Sequence, residues 1–544
     1  MSGVSRKRAA PRPDSLIGVV RITAGHARIE PFDADGAPVA VGPGGKHGAK
    51  DGDAVVATVQ SAGRGSGRGR GRGGEPVARI DEVLGALDAP GVDVEIVARR
   101  HGCRREFPQD ALVAAARLGG IPPKELKKRE RFDSPLPVTI DGETARDFDD
   151  AIAVAEGPDG GFRLFVHVAD VAWYVAPGSP IDREAKARGT SVYFPDRVLP
   201  MVPQRLADLL RDRLEAKRRA RGSIDFDLPA PMILLDVEGT MTGITIEPRN
   251  RAHRMIEEFM LAANEAVARW LSSKSVPCLF RVHEDPDPVK VEALAVFARS
   301  LGLDLRMRRE GLRSVDVQRL LDSAEGKPAY PVVVQIALRT MKQARYAPSD
   351  TGHFGLAADH YLHFTSPIRR YPDLVAHRAL RAARHGARAR HGDLAELSEA
   401  CSLLEREAEA AEREVLEWKK VRFLRGREGE TFSGLVTGVA RFGLFVQLDG
   451  GIAEGLVRVD RLGSEWFEYD AHRHELRGAV TGTTFRLGDP LEVRVERVDA
   501  LRRRIDLAPM SVPPERGAAP RRPGHNGGGQ ARARGPRRHG HGRR

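Results

Sequence analysis

Residues 138–154 read VTIDGETARDFDDAIAV, two short apolar runs around a loop that holds Asp141, Glu143, Asp147, Asp149 and Asp150. Apolar runs on either side of a polar turn predict two strands joined by a loop. Crowding carboxylates this closely is costly, because like charges within about 4–6 Å raise one another's pKa by a unit or more. A hard divalent cation removes that repulsion, since Mg²⁺ takes oxygen ligands and keeps water in its shell. An acidic surface loop has the same composition, so the stretch by itself leaves both readings open. A calcium loop of the EF-hand kind is excluded, because Arg146 stands where that loop needs Gly and Ile152 where it needs Glu.

Outward from this stretch, the 544-residue chain is long enough for three or four domains, each with its own core. Its net charge of +12 points to a polyanionic partner. The segment Gly63–Gly74 carries Arg64, Arg68, Arg70 and Arg72 without an acid, and the tail Ser511–Arg544 carries nine Arg against one Glu. These two arms account for the whole excess, so the rest of the chain is neutral and keeps its acids for another purpose. Cys103, Cys278 and Cys401 lie far apart with no CxxC pair, which argues against a disulfide framework or zinc site and fits a reducing cytosol. The basic start is not followed by an apolar signal segment, and no apolar run approaches the roughly 18 residues of a membrane span. The expectation is a soluble, cytoplasmic protein with no membrane partner.

Residues 1–13 read as a disordered basic lead. Residues 14–87 alternate short apolar runs (LIGVVRI, ARIEPF, APVAV, DAVVATV, VARIDEVLG) with Gly and Asp turns, which predicts a small antiparallel barrel interrupted by the Gly/Arg loop. Arg-Gly repeats beside a barrel favour nucleic-acid contact over a plain linker. Residues 88–135 form a mixed connector with one helix near Gln109–Leu118. Residues 136–425 begin with strands, including GFRLFVHVADVAWYV, and then turn helical at His253–Ser272, Pro288–Leu301, Pro331–Ala344, Asp373–Arg384 and Asp393–Arg425. The last of these has acid–base pairs at i,i+3 and i,i+4, the pattern of a solvated helix. Residues 426–510 return to five short strands, a second barrel of the oligonucleotide-binding (OB) type. Residues 511–544 are Gly/Arg/Pro-rich and should be disordered.

Four stretches carry a resemblance: VTIDGETARDFDDAIAV; HVADVAWYVAPGSPIDREAKARGTSVYFPDRVLPMVPQRL; RMIEEFMLAANEAVARWL; and HFGLAADHYLHFTSPIRRYPDLVAHRAL. Together they resemble the RNase II / RNase R (RNB) exoribonucleases, collinearly from about residue 14 to 510. The resemblance implies an α+β multidomain fold: a cold-shock-type OB barrel, a central mixed α/β RNB catalytic domain, an S1-type OB barrel and a disordered basic tail. Only one N-terminal barrel is visible, where full-length RNase R has two. The family implies hydrolytic, processive 3′→5′ degradation of single-stranded RNA to nucleoside 5′-monophosphates, by a monomer that needs divalent metal and no small-molecule cofactor.

By motif position, the resemblance makes Asp141, Asp147, Asp149 and Asp150 the ligands of Mg²⁺, or of Mn²⁺ in its place, with Asp149, Asp150 and Arg369 catalytic. Two metals held by carboxylates can activate a water and stabilise a leaving oxygen. Arg369, in TSPIRRYPD, matches the family arginine that grips phosphate, for which a guanidinium fork is suited. Tyr193 and Phe226 match the aromatics that stack on the RNA 3′ end, although most such rings elsewhere serve as core. Glu257 and Glu412 match glutamates that contact the sugar, and the ribose 2′-OH is what separates RNA from DNA. In the second barrel Phe432, Phe442 and Phe445 lie where such barrels present stacking rings. Phe445, inside the alternating run LFVQL, reads as core, while Phe442, between Arg441 and Gly443, is the better RNA contact.

The pattern breaks at one place. After MVPQRL the family continues with a Ser-Asn-Gly-Leu-Cys-Ser-Leu segment and further strands, whereas here Leu206 runs through ADLLRD into RLEAKRRARGSIDFDLP, which belongs later. A long internal piece of the catalytic domain is absent, and its neighbours would expose apolar surface. Three expectations follow: a nuclease that keeps its chemistry; a catalytically weakened RNA-binding protein of the same family; and, more remotely, a metal-dependent nuclease acting on DNA.

Overall fold

Runs of period-two burial make two closed barrels, one at each end of the described chain. The computed structural model describes residues 15–33, 36–60, 76–140, 149–157, 160–206, 233–235, 241–244, 251–306, 311–327, 330–448, 451–471 and 473–510. The first barrel comprises β1 (Ser15–Thr23), β2 (His26–Pro31), β3 (Val39–Val41), β4 (Asp53–Gln60) and β5 (Val77–Ala86). They close in the order β1-β2-β3-β5-β4, with β3 and β5 parallel. Val20, Ile29, Val55, Ala57, Ala78 and Ile80 alternate inward and fill it.

The connector carries more helix than the sequence reading gave it: α1 (Val92–Arg100), α2 (Gln109–Ala116) and the short α3 (Pro123–Leu126). The sequence of α1, VDVEIVARR, has β-branched residues that lower helix propensity, but Val92, Val94, Ile96 and Val97 are all buried, and packing overrides propensity. Next come β6 (Asp150–Glu156) and β7 (Phe162–Val168), an antiparallel pair. The strand expected at Val138–Ile140 is reduced to one bridge, in which Val138 and Ile152 exchange backbone hydrogen bonds of 2.7 and 2.8 Å. The strand expected through VAWYV ends at Val168, and Val171–Tyr174 forms a helical turn, α4.

Helix α5 (Pro180–Arg188) is capped by Ser179, whose hydroxyl accepts from the Asp182 N–H, and starts with a proline, two signals visible in SPIDREAKARG. The hairpins β8 (Val192–Tyr193) with β9 (Val198–Leu199) and β10 (Ile233–Leu235) with β11 (Met241–Ile244) precede α6 (Arg251–Ser273). Strand β12 (Phe280–Val282), α7 (Pro288–Ser300), α8 (Ser314–Ala324), α9 (Tyr330–Thr340) and β13 (Arg345–Ala347), which pairs with β12, lead to α10 (Tyr371–Arg384) and α11 (Leu394–Leu424).

Helix α11 corrects an expectation. Its 31 residues span about 46 Å, and it is a buried spine rather than a solvated rod. Leu397 and Cys401 enter a core with α2, α5 and α10. Ala408, Ala411, Val415 and Trp418 join one with α1 and Phe32 beside the first barrel, and Val421 and Leu424 reach one shared with α7–α9 and the second barrel. Its charged residues mostly reach across to other elements: Lys419 to Asp93 at 2.9 Å, Glu414 to His101 at 2.8 Å, and Glu405 to Arg281 at 2.5 Å.

The second barrel consists of β14 (Thr431–Ala440), β15 (Gly443–Leu448), β16 (Glu454–Arg458), β20 (Pro490–Asp499) and β21 (Arg504–Pro509). Its order, β14-β15-β16-β21-β20, and its single parallel pair, β16 with β21, repeat the first barrel's topology. Between β16 and β20 the chain makes an excursion the sequence reading left unassigned: an antiparallel sheet of β17 (Phe467–Asp470), β18 (Glu475–Gly478) and β19 (Thr484–Arg486). No helix among the described residues is long and apolar enough to cross a membrane.

Candidate active site

Asp149 ends the acidic loop and Asp150 begins β6, so pairing between β6 and β7 fixes both backbones: Asp150 lies opposite Val168, and the Asp149 carbonyl accepts from the Ala169 N–H at 2.7 Å. The Asp149 side chain is buried. Its Oδ1 accepts from the backbone N–H of Ile368, 219 residues away, at 3.0 Å, and its Oδ2 lies 3.5 Å from Arg369 Nε. Among the described residues no donor bonds the Asp150 carboxylate. Burial pushes that carboxyl up to about 6 against the pull of the Arg369 charge.

Arg369 sits in the turn Thr365–Arg370, directly ahead of α10. Its carbonyl accepts from the Ser191 N–H at 2.9 Å and from the Thr190 hydroxyl at 3.1 Å, and its Nη2 donates to the Ser366 hydroxyl at 3.1 Å. The root is therefore held while the side chain remains 42% exposed and able to meet a ligand. Two residues beyond Ser191, on β8, Tyr193 is exposed, and its backbone N–H donates to Glu412 Oε1 at 2.7 Å. Burial raises the Glu412 carboxyl, with the Tyr193 hydrogen bond and the Arg369 charge pulling it back. Nearby, Tyr346 links the His363 imidazole at 2.9 Å to Glu405 at 3.2 Å. Burial, together with the Arg370, Arg281 and Arg369 charges, holds that imidazole well below its ordinary range.

The structure thus brings together Asp149, Asp150, Arg369, Tyr193 and Glu412 from four separate stretches. Glu257 is exposed on α6, the helix that packs on β7. Asp141, Asp147 and Phe226 lie outside the described residues. Among the described residues no three His, Cys, Asp or Glu side chains form a group able to hold a metal ion. Among the described residues of the acidic loop, Asp149 and Asp150 supply hard oxygen donors suited to Mg²⁺; a cation beside Asp150 would favour its charged form and so oppose the effect of burial.

On the second barrel, Phe442 is exposed and meets Phe445 edge-on with ring centres 6.0 Å apart. Both line a groove of about 730 Å³ with Arg458, Arg502, Arg503 and Arg504. Gly443 follows Phe442 at φ 152°, and a Cβ there would strike the Val457 carbonyl, so the sharp start of β15 requires glycine. Phe445 is half-buried and contributes to the groove wall as well as to the barrel. Phe432 is half-buried against the barrel core. The sequence reading missed the arginines of this groove, although the run LRRRIDL signals them, and it missed Thr190, Ser191 and Ser366, whose roles come from contacts across the fold.

A model of the RNB domain matches residues 129–211 and 207–386, one of the S1 RNA binding domain 426–508, and one of the cold shock domain 36–108. The two RNB matches meet where the sequence departs from the family pattern. Ribonuclease R of Aquifex aeolicus (strain VF5) is 35% identical over 506 residues, spanning 79% of this chain and 72% of that protein. The fold is shared with Mycoplasma genitalium RNase R in complex with ribose methylated single-stranded RNA, at TM-score 0.79 and 22% identity over 94% of this chain and 91% of that one. Yeast Ssd1, a pseudonuclease, aligns at TM-score 0.63 and 17% identity over 88% and 69%. With the barrels at both ends and the RNB motifs gathered around Asp149 and Arg369, the chain belongs to the ribonuclease R family.

Proposed function

We propose that the protein is a hydrolytic, processive 3′→5′ exoribonuclease that degrades single-stranded RNA to nucleoside 5′-monophosphates. The observation that carries this reading is the meeting of Asp149, Asp150 and Arg369 beside Tyr193 and Glu412. A deep carboxylate pair, a half-exposed arginine and an exposed tyrosine are the parts needed to hold a phosphodiester end. Asp141, Asp147, Asp149 and Asp150 would hold Mg²⁺ or Mn²⁺, which when bound supplies Lewis-acid activation of water and charge stabilisation at the leaving oxygen.

The remaining work falls to the chain. Arg369 grips two phosphate oxygens with its planar fork. Tyr193 stacks on a terminal base, a contact that accepts all four bases, and Phe226 supplies the second face. Glu412, with one oxygen committed to Tyr193, accepts a ribose hydroxyl on the other, and Glu257 contacts the same sugar. Phe442 stacks on RNA further from the end, Phe432 borders that path, and the Arg-rich arms add phosphate contacts. The chain acts as a monomer in the cytoplasm, with single-stranded RNA as partner and no small-molecule cofactor.

A second reading, an RNA-binding protein with weakened catalysis, draws support from the break in the family pattern at 207–211 and from the fold shared with a pseudonuclease. The test is an unstructured RNA labelled at its 5′ end, with Mg²⁺ or with chelator, beside an Asp150→Asn control. Stepwise shortening with release of 5′-monophosphates, lost with chelator and in the variant, is expected. Tight binding without products would refute the nuclease reading and favour the second. Equal digestion of a DNA strand would remove the RNA specificity.

A further inference from the structure

Beneath Arg369 lies a carboxylate that the mechanism above does not use. Asp373, in the first turn of α10, is fully buried. Its Oδ1 accepts from the Ser366 N–H at 2.8 Å and from Arg370 Nη2 at 2.8 Å, and its Oδ2 accepts from Arg370 Nε at 3.0 Å. The Ser366 carbonyl accepts the Arg370 and Arg369 N–H groups at 3.0 and 3.3 Å, and the Ser366 hydroxyl accepts Arg369 Nη2 at 3.1 Å. Two residues beyond Ser366, the Ile368 N–H reaches Asp149. One buried carboxylate therefore closes the turn from below, and the turn presents to the site both the Arg369 guanidinium and the N–H that fixes Asp149.

We propose that Asp373 is the positioning residue of this site: gripping Ser366 and Arg370, it sets Arg369 and Asp149 in register with each other. A bidentate carboxylate–guanidinium pair is short and directional, and a carboxylate in the first turn of a helix is further favoured by the helix dipole. Asparagine has almost the same shape, but it turns an NH₂ donor toward the arginine or serine donors that Asp373 accepts. Donor then faces donor, and the turn has to move. Displacements of about 1 Å in such supports cost on the order of 10²-fold in rate.

The kinetic test rests on the nuclease reading. With a short unstructured RNA and Mg²⁺, Asp373→Asn is expected to lower kcat about 100-fold with KM changed by less than about threefold. On an Arg369→Ala background it is expected to add about tenfold or less, since with the guanidinium gone only the Ile368 N–H that fixes Asp149 is left to position. Asp182→Asn disturbs another buried carboxylate, paired with Arg378 of the same helix at 2.8 Å, and is expected to leave kcat near wild type. A multiplicative loss in the double variant, or an equal loss in Asp182→Asn, overturns the proposal. Should Asp373→Asn fail to fold, Asp373→Glu carries the test: it keeps the carboxylate but, one methylene longer, shifts its grip on Ser366 and Arg370, with about a tenfold loss alone and a smaller one beside Arg369→Ala. If the wild-type chain releases no nucleotide, the nuclease reading fails by itself. Positioning is then read from a crystal structure of either variant: loss of the Ile368–Asp149 hydrogen bond is expected, and an unmoved turn overturns the proposal.

Discussion

Asp93 is wholly buried in the first turn of α1, where it accepts from Lys419 Nζ at 2.9 Å and from Arg422 Nη1 at 3.2 Å, both on α11. The Lys419 side chain is only 2% exposed, so removing the Asp93 charge strands a buried ammonium. Breaking one partner of a buried pair costs about 3–5 kcal/mol, most of it the penalty on the charge left behind. Asp93→Asn is therefore expected to lose about 3–4 kcal/mol, somewhat below the upper end because the amide oxygen still accepts one hydrogen bond. Lys419→Met should cost less, about 1–2 kcal/mol, because Asp93 keeps Arg422 and the methionine fills the volume. In the double variant the buried ammonium is gone and Arg422 keeps its bond to the Leu87 carbonyl, so the coupling should recover about 2 kcal/mol. Urea unfolding followed by tryptophan fluorescence reads this directly, since Trp418 is buried next to Lys419 and edge-on to Phe32 at 5.5 Å. With a urea slope of about 2–3 kcal/mol/M, Asp93→Asn should move the midpoint of that transition down by about 1–2 M. A shift under about 0.3 M, or a Lys419→Met cost unchanged by Asp93→Asn, would refute the claim that this buried charge holds α1 to the spine.

Other perturbations separate the parts. At the junction of α1, α11 and the β20–β21 turn, burial pushes the Glu414 carboxyl up, but the His101 hydrogen bond and the Arg100 and Arg503 charges outweigh it and hold it at about 2. That stabilisation is complete above the ordinary carboxylate range and lost as pH falls toward 2, so melting temperature should drop steeply below about pH 5, and Glu414→Gln should flatten the drop. The hydrogen bond to Glu414 raises His101 in turn, so its share is present below about 6.5 and fades as pH rises through the elevated value. Phe442→Ala should weaken binding of a long single-stranded RNA by about 1–3 kcal/mol with little change in melting, whereas Phe432→Ala should lower melting first, because its ring packs on the barrel core. Deleting residues 511–544 should reduce the slope of log affinity against log salt by about 0.7 for each phosphate the tail neutralises, and an unchanged slope would mean that the tail touches no RNA.

What the sequence discloses depends on how local the cause is. Both barrels are legible because alternate burial is written residue by residue, as in PLEVRVERVD, where Leu491, Val493 and Val495 point inward. The length of α11 is legible from its composition, but its burial is not: the pairs along LEREAEAAEREV look like those of a solvated helix, and only the fold reveals that Glu405, Glu414 and Lys419 answer to partners far away in sequence. Helix α1 hides because VDVEIV favours a strand by propensity and becomes helical through packing on α11. At the site, Asp149, Asp150 and Arg369 are visible within long motifs. The bond from Ile368 to Asp149, and those from Thr190 and Ser191 to the Arg369 carbonyl, join positions 219 and about 179 residues apart, and no local pattern encodes them.

The spine also bears on what the RNB domain retains where the family pattern breaks. Going along α11, Glu405 answers Arg281 and Tyr346, and Glu412 answers Tyr193 two helical turns later. Glu414 then ties in His101 and Arg503, Glu417 lines the Phe442 groove, and Lys419 closes on Asp93. A single helix therefore sets the distance between the site around Arg369 and the aromatic groove of the second barrel. The family pattern breaks at 207–211, while every bond just named involves residues before or well beyond that break. If a piece of the RNB domain is absent there, its loss would take wall from that domain and leave in place the bonds that align the site with the groove. On this reasoning the abridgement should affect how firmly the RNA end is enclosed more than how it is aligned, so any catalytic deficit should show first as premature release of RNA, in shorter runs per binding event, and only later in the rate of each cut.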